Sequence, residues 1–183
     1  MADRLNALFD EGPYMYACSL FFYRGDYRKT TPALKYAGNL ELGRYLAGML
    51  GEALVAGGFP GDVDCIVPVP LHWTRKWARG YNQAEIIAEA LLPFFPKAEL
   101  RTDILFRKRR TRSQTGRKGL QKSLNVGDAF RAVPPEEEPS HILLVDDVFT
   151  SGNTVAACIR ALKKALPKGN ARISVATLAY AGE

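Results

Sequence analysis

The apolar positions of this chain change period as it runs, and each change predicts an element. Tyr14 to Tyr23 (YMYACSLFFY) is a continuous, aromatic-rich run closed by Arg24, Gly25 and Asp26, which predicts a strand ending in a turn. Leu42, Tyr45, Leu46, Met49, Ala53 and Leu54 then recur at spacings of three and four. That is one core-facing helical stripe, and Gly57, Gly58 and Pro60 stop it. Val63 to Val69 predicts a second strand with Pro68 and Pro70 near its end, and Ile86, Ile87, Ala90 and Leu91 a second helix. Short strands are predicted near Ile104 and Leu105 and over Ala129 to Val133, on either side of a polar basic segment. After the acidic turn PPEEEP (134 to 139), Ile142 to Val145 is a short branched run of the kind required by a parallel strand covered on both faces. A helix through Val155, Ile159, Leu162 and Leu166 and a last strand over Arg172 to Tyr180 complete the alternation. The fold class this implies is α/β: a single domain with a mostly parallel twisted sheet and helices on both faces.

The run 142 to 154, ILLVDDVFTSGNT, carries the most chemistry. Asp146 and Asp147 fall at the carboxyl end of a predicted buried strand, where open α/β sheets bind their ligands. Thr150, Ser151, Gly152, Asn153 and Thr154 come next and lead into a helix. Amides at a helix start, a glycine permitting close backbone approach and three hydroxyls together suit a phosphate dianion. As D-D-x-x-[ST]-[ST]-G-x-T after an apolar strand, the stretch resembles the phosphoribosyl pyrophosphate signature of type I phosphoribosyltransferases. Three rivals share pieces of the pattern. A P-loop ATPase needs G-x-x-x-x-G-K-[ST] and a dinucleotide-binding domain needs G-x-G-x-x-G after a strand; neither string occurs. A response-regulator receiver carries its acidic doublet on the first strand, whereas here most of the chain precedes it.

The composition is that of a globular protein. At 183 residues the chain is long enough for one well-buried core and short for two independent domains. Cys18, Cys65 and Cys158 stand far apart without a C-x-x-C, which argues against a zinc ribbon or a disulfide framework and for core thiols in a reducing cytoplasm. The first residues, MADRLNALFDEG, do not read as a signal peptide, and no stretch has the apolar length to cross a bilayer. The net charge of +6 favours an anionic partner without naming it.

Two further stretches are candidates for anion binding. Strand 63 to 69 leads into the loop Pro70 to Thr74, with Leu71 and His72 in it and Arg75, Lys76 and Arg79 just beyond; a diphosphate there would meet amides and cations together. Val67-Pro68 and Val69-Pro70 are also bonds that can take the cis form at low cost. From Arg107 to Lys118 the chain reads RKRRTRSQTGRK, seven basic residues in twelve, and no acid stands between Asp103 and Asp128. Such a segment reads as a mobile basic loop that folds over a diphosphate, as a salt-sensitive track for single-stranded DNA or RNA, or as a solvated basic face. It lacks interleaved aromatics, which counts against a stacking track.

Taken together, LKYAGNLELGRYLAGML (34 to 50), VPVPLHWTRKWARGYNQAEIIAEAL (67 to 91), TRSQTGRKGLQKSLNVGDAF (111 to 130) and the acidic signature resemble the ComF family of phosphoribosyltransferase-like proteins, the late competence or GntX-like group. RGYNQ, SQTGR and LNVGDAF are its more specific pieces. The resemblance implies a type I phosphoribosyltransferase fold in which a small N-terminal hood, residues 1 to 38, covers a domain of residues 39 to 183. It implies that Asp146 and Asp147 hold the ribose hydroxyls and approach Mg²⁺, that Thr150 to Thr154 hold the 5-phosphate, and that the loop Pro70 to Thr74, with Leu71 and His72, holds the diphosphate; Arg75, Arg79, Arg109 and Arg112 are the cations expected to contact that diphosphate. Arg107, Arg109, Arg112, Gln114 and Lys122 fall in the basic loop, and Lys35 and Tyr36 in the hood where an acceptor would bind. Family members usually carry a cysteine-rich, zinc-binding N-terminal segment, and this sequence shows none. Lys122 stands where the family pattern has arginine, giving a point charge without the bidentate fork. The expectation is a cytoplasmic protein of a family linked to DNA uptake. It binds phosphoribosyl pyrophosphate with Mg²⁺ and transfers the phosphoribosyl group to a nitrogen acceptor; the alternative is a non-catalytic accessory protein that binds a nucleotide or phosphoribosyl pyrophosphate without turnover and contacts single-stranded DNA or a DNA-uptake helicase. Acceptor and oligomeric state are left open.

Overall fold

The structure is a computed structural model that describes residues 1, 16–23, 40–71, 80–108, 129–166 and 170–181. Its elements, in chain order, are β1 (Ala17–Phe22), α1 (Leu40–Ala56), β2 (Cys65–Pro68), α2 (Gln83–Leu91) with a 3₁₀ turn after it (Leu92–Phe94), β3 (Glu99–Leu100), β4 (Leu105–Arg107), β5 (Phe130–Ala132), β6 (His141–Phe149), α3 (Asn153–Ala165) and β7 (Arg172–Tyr180). The main sheet runs in the order β1-β7-β6-β2-β3, and every pairing in it is parallel. β4 and β5 form a separate antiparallel ribbon.

β6 is central because its side chains are apolar on both faces. Ile142 and Leu144 point to a core shared with Val155, Ile159 and Leu162 of α3 and with Leu105 and Phe130 of the ribbon. Leu143 and Val145 point to the opposite core, with Leu46, Leu50 and Leu54 of α1 and Ile87 and Leu91 of α2. Period two along the strand and wide apolar faces on the helices thus build two cores back to back. All four of these β6 residues have no exposed surface, and each large aliphatic side chain so buried contributes about 1.5–3 kcal/mol relative to leaving it in water.

Most element boundaries agree with the sequence pattern. The last strand starts at Arg172 and ends at Tyr180 as expected, and the helices of residues 42 to 54, 86 to 91 and 155 to 166 are α1, α2 and α3. Two differences matter. β6 does not stop at Val145; it continues to Phe149, with Asp146 beside Thr177 and Val148 beside Ala179. The doublet therefore lies inside the paired strand, because β7 runs long enough alongside to keep the ladder going. β3, only Glu99–Leu100, has no apolar run of its own and forms because β2 offers it an edge. Among the described residues all peptide bonds are trans, Val67-Pro68 and Val69-Pro70 included. β1 extends the main sheet beside β7, while the expected hood boundary at residue 38, with Lys35 and Tyr36, lies outside the described residues.

Candidate functional site

From β2 the chain continues through α2 to β3 on one side of the sheet order, and from β6 it continues through α3 to β7 on the other. The adjacent strands β2 and β6 are therefore the point where the winding reverses, and their loops diverge there to leave a crevice. A polar cleft of about 180 Å³ occupies it. Val69, Pro70 and Leu71 from the loop after β2 form one wall, and Asp146, Asp147 and Val148 of β6 with Thr154 of α3 form the other. Asn82, Gln83 and Ala84 at the start of α2 and Arg107 at the end of β4 close the sides.

The two carboxylates are held locally. Asp146 Oδ1 accepts the Asp147 amide at 2.8 Å, and Asp147 Oδ1 accepts the Val148 amide at 2.8 Å. Alternation along β6 sends them to opposite faces. Asp146 lies on the α3 side, where its charge and that of Arg107 both act on Cys158. Asp147 also borders a narrow apolar slot with Tyr81, Ile87 and Leu178. Both are half-buried, so each keeps a face toward the cleft.

The loop from β6 to α3 has the shape an anion would use. Thr150 and Ser151 are exposed, and Gly152 is buried with φ 81°, the left-handed region where a side chain would be strained. Gly152 is also the N-cap of α3 and, having no side chain, makes no side-chain cap bond. The amides of Asn153 and Thr154 stand in the first turn, at the partial positive end of the helix. Asn153 and Thr154 are half-buried at that turn.

On the facing wall stand Asn82 and Gln83, which residue type alone does not mark as site residues. Both are buried, at 2 % and 7 % exposure. Their signal was the string N-x-x-E before an apolar stripe: Asn82 caps α2 by accepting the Ala84 amide at 3.2 Å, and Glu85 approaches it three residues on. Of the residues expected at the diphosphate, Leu71 borders the cleft, whereas His72, Arg75 and Arg79 lie outside the described residues. Of the basic loop, Arg107 borders the cleft, while Arg109, Arg112, Gln114 and Lys122 lie outside the described residues. The segment they belong to leaves and rejoins at the ribbon, where the Lys108 amide bonds to Ala129 O at 2.9 Å.

The cysteines take no part. All three are free thiols; burial pushes Cys65 up to about 12 and Cys158 well above its ordinary range, so neither is a thiolate near neutral pH. Among the described residues no three metal-ligating side chains converge, and no helix is long and apolar enough to cross a membrane.

A parallel sheet with this switch point, an acidic doublet on the central strand and a helix behind a glycine turn define the type I phosphoribosyltransferase class. The phosphoribosyl transferase domain family matches residues 78–183. Competence protein F of Haemophilus influenzae is 36% identical over 103 residues, 55% of this chain and 44% of that protein. DNA utilization protein YhgH of Salmonella typhi is 34% identical over 146 residues, 78% of this chain and 62% of that protein. Competence protein ComFC of Bacillus subtilis is 26% identical over 155 residues, 84% of this chain and 59% of that protein. The chain belongs to the phosphoribosyl transferase domain family and, within it, to the ComF group. It spans about half the length of the curated relatives it matches.

Proposed function

We propose that the cleft binds phosphoribosyl pyrophosphate and that the protein transfers its phosphoribosyl group to a nitrogen acceptor. The observation that carries the reading is the placement, on one wall of the crevice, of the Asp146–Asp147 doublet beside the start of α3. The 5-phosphate would lie against the amides and hydroxyls of Thr150 to Thr154, and the ribose diol would donate to the two carboxylates. The diphosphate would extend toward Val69 to Leu71 and Arg107. Arg75, Arg79, Arg109 and Arg112 belong to this proposal as further diphosphate contacts.

In the reaction, the bond from the anomeric carbon to the diphosphate oxygen breaks and a bond to the acceptor nitrogen forms, with a proton leaving the nitrogen. Charge builds on the leaving diphosphate and on an oxocarbenium-like carbon. The protein's contribution is to hold both ends in fixed geometry and offer preorganised donors where charge grows. Two carboxylates and a polyphosphate are an all-oxygen donor set, which suits Mg²⁺ shared between protein and ligand in place of an all-protein cage. Asp146 and Asp147 would hold it, directly or through water, and it would neutralise the leaving diphosphate.

The test is thermal unfolding with Mg²⁺ and phosphoribosyl pyrophosphate, compared with ribose 5-phosphate. Ligand at about 100 times its dissociation constant adds about 2.7 kcal/mol of stability. A rise specific to the pyrophosphate donor supports the site and justifies a screen of nitrogen acceptors for released diphosphate; no rise with either ligand refutes it.

A second reading, an accessory protein that also contacts single-stranded DNA, draws on the ribbon. Phe106 is 39% exposed on its outer face, with the Arg131 guanidinium 5.9 Å from its ring and exposed Lys108 two residues on. Aromatic stacking beside cations is the chemistry of a single-strand platform. Names of relatives such as DNA utilization protein and competence protein are in keeping with it.

A further inference from the structure

We propose that Asn82 is a positioning residue that sets the diphosphate wall of the cleft by locking the loop after β2 to the start of α2. The inference rests on reading the cleft as a phosphoribosyl pyrophosphate site and adds a residue that does not itself have to touch the ligand.

The geometry is that of a clamp. The Asn82 side chain accepts the Ala84 amide on Oδ1 at 3.2 Å and donates from Nδ2 to Val69 O at 3.1 Å. Its backbone carbonyl accepts the Glu85 and Ile86 amides at 3.1 and 3.3 Å, the first turn of α2. Val69 in turn donates its own amide to Val145 O at 2.8 Å. One residue of the loop is thus held on one side by the strand that carries the carboxylates and on the other by α2.

An N-cap needs only an oxygen, and serine, threonine and aspartate supply it as well as asparagine does. Aspartate has no donor, and the single hydroxyl of serine or threonine, one bond shorter than the amide nitrogen, does not cap α2 and span to Val69 O together; the primary amide does both. The donor matters because Pro70, next in the chain, has no amide hydrogen. The backbone cannot be pinned there through its nitrogen, and the bond to Val69 O holds the chain one residue before that proline. It also occupies a carbonyl that, left unsatisfied beside an anion site, would repel the ligand. A buried amide at 2 % exposure, with both ends used, fixes this relation without slack.

The experiment compares the parent with Asn82→Ser and Asn82→Thr, which retain an N-cap but lose the donor to Val69. Binding of inorganic diphosphate, phosphoribosyl pyrophosphate and ribose 5-phosphate is measured in Mg²⁺ by calorimetry, alongside thermal unfolding. The expected result is a roughly ten- to hundredfold loss for the two diphosphate-bearing ligands, unchanged ribose 5-phosphate binding and a melting temperature close to the parent's. Parent-like diphosphate binding in both variants overturns the inference and leaves the cleft reading standing. So does an equal loss of all three ligands, or failure of both variants to fold, since either assigns Asn82 to the scaffold alone. A parent that binds none of the ligands overturns the cleft reading and this inference with it.

Discussion

His141 donates from Nδ1 to Oδ1 of Asp62 across 2.7 Å, and its side chain has no exposed surface. The other ring nitrogen lies 2.8 Å from Ser174 Oγ, Phe59 stacks on the ring at 6.3 Å, and Arg172 reaches the second Asp62 oxygen. Asp64 accepts the amides of Ser140 and His141. The sequence of groups is that of an acid, a base and a hydroxyl, but Ser174 is fully buried, so no substrate reaches it. The network ties together the amino ends of β6 and β7, the end of the sheet opposite the cleft.

Acid should loosen that end first. The bond to His141, and then that to Arg172, hold the Asp62 carboxyl at about 2 against its ordinary 3.8. A carboxyl depressed in the folded state contributes its full stability above the unfolded value and loses it as pH falls through the folded one. The Asp62 contribution is therefore complete above about 3.8 and gone below about 2. Denaturant unfolding tracked down through this window should show a shallower decline for Asp62→Asn than for the parent; superimposable slopes would remove Asp62 from acid sensitivity.

Asp147→Asn should weaken phosphoribosyl pyrophosphate binding by roughly tenfold or more, the scale of a hydrogen bond to a charged group. The amide oxygen can still accept from Val148, so unfolding should be little changed. Calorimetry in Mg²⁺ decides; equal affinity for parent and variant would sink the role given to the doublet.

Gly152→Ala places a side chain at φ 81°. The strain costs about 1–2 kcal/mol, and the turn ahead of α3 is the segment assigned to the 5-phosphate. Thermal unfolding should show the loss, and ribose 5-phosphate affinity should fall with it. Parent-like values for both would mean the turn tolerates another conformation and that its glycine does not shape a phosphate site.

Phe106→Ala and Arg131→Gln test the second reading. If the ribbon carries single-stranded DNA, Phe106→Ala should weaken binding by about 1–3 kcal/mol, the range for a stacked base. Arg131→Gln should lower affinity and flatten its salt dependence. Fluorescence anisotropy over a salt series distinguishes them. DNA binding that neither variant alters excludes the ribbon as the platform.

Period was enough to place most elements, because a buried parallel strand and an amphipathic helix each leave a pattern that few alternatives share. Ile142 to Val145 and the Val155, Ile159, Leu162 stripe were legible for that reason, and the doublet and glycine turn between them were legible as chemistry. β3 was not, since two residues carry no period. The extension of β6 to Phe149 was not either, since it depends on β7 lying alongside. His141, one of only two histidines, gave no local sign of its role; its partners stand 79 and 33 residues away. Asn82 advertised a helix cap and hid its second bond, because Val69 O comes within reach only when α2 packs against the sheet. Local sequence thus specifies which groups are chemically able to bind an anion, through residue type and element boundaries. Which of them share one cleft is decided by the reversal of winding between β2 and β6, a property of strand order that no local pattern encodes.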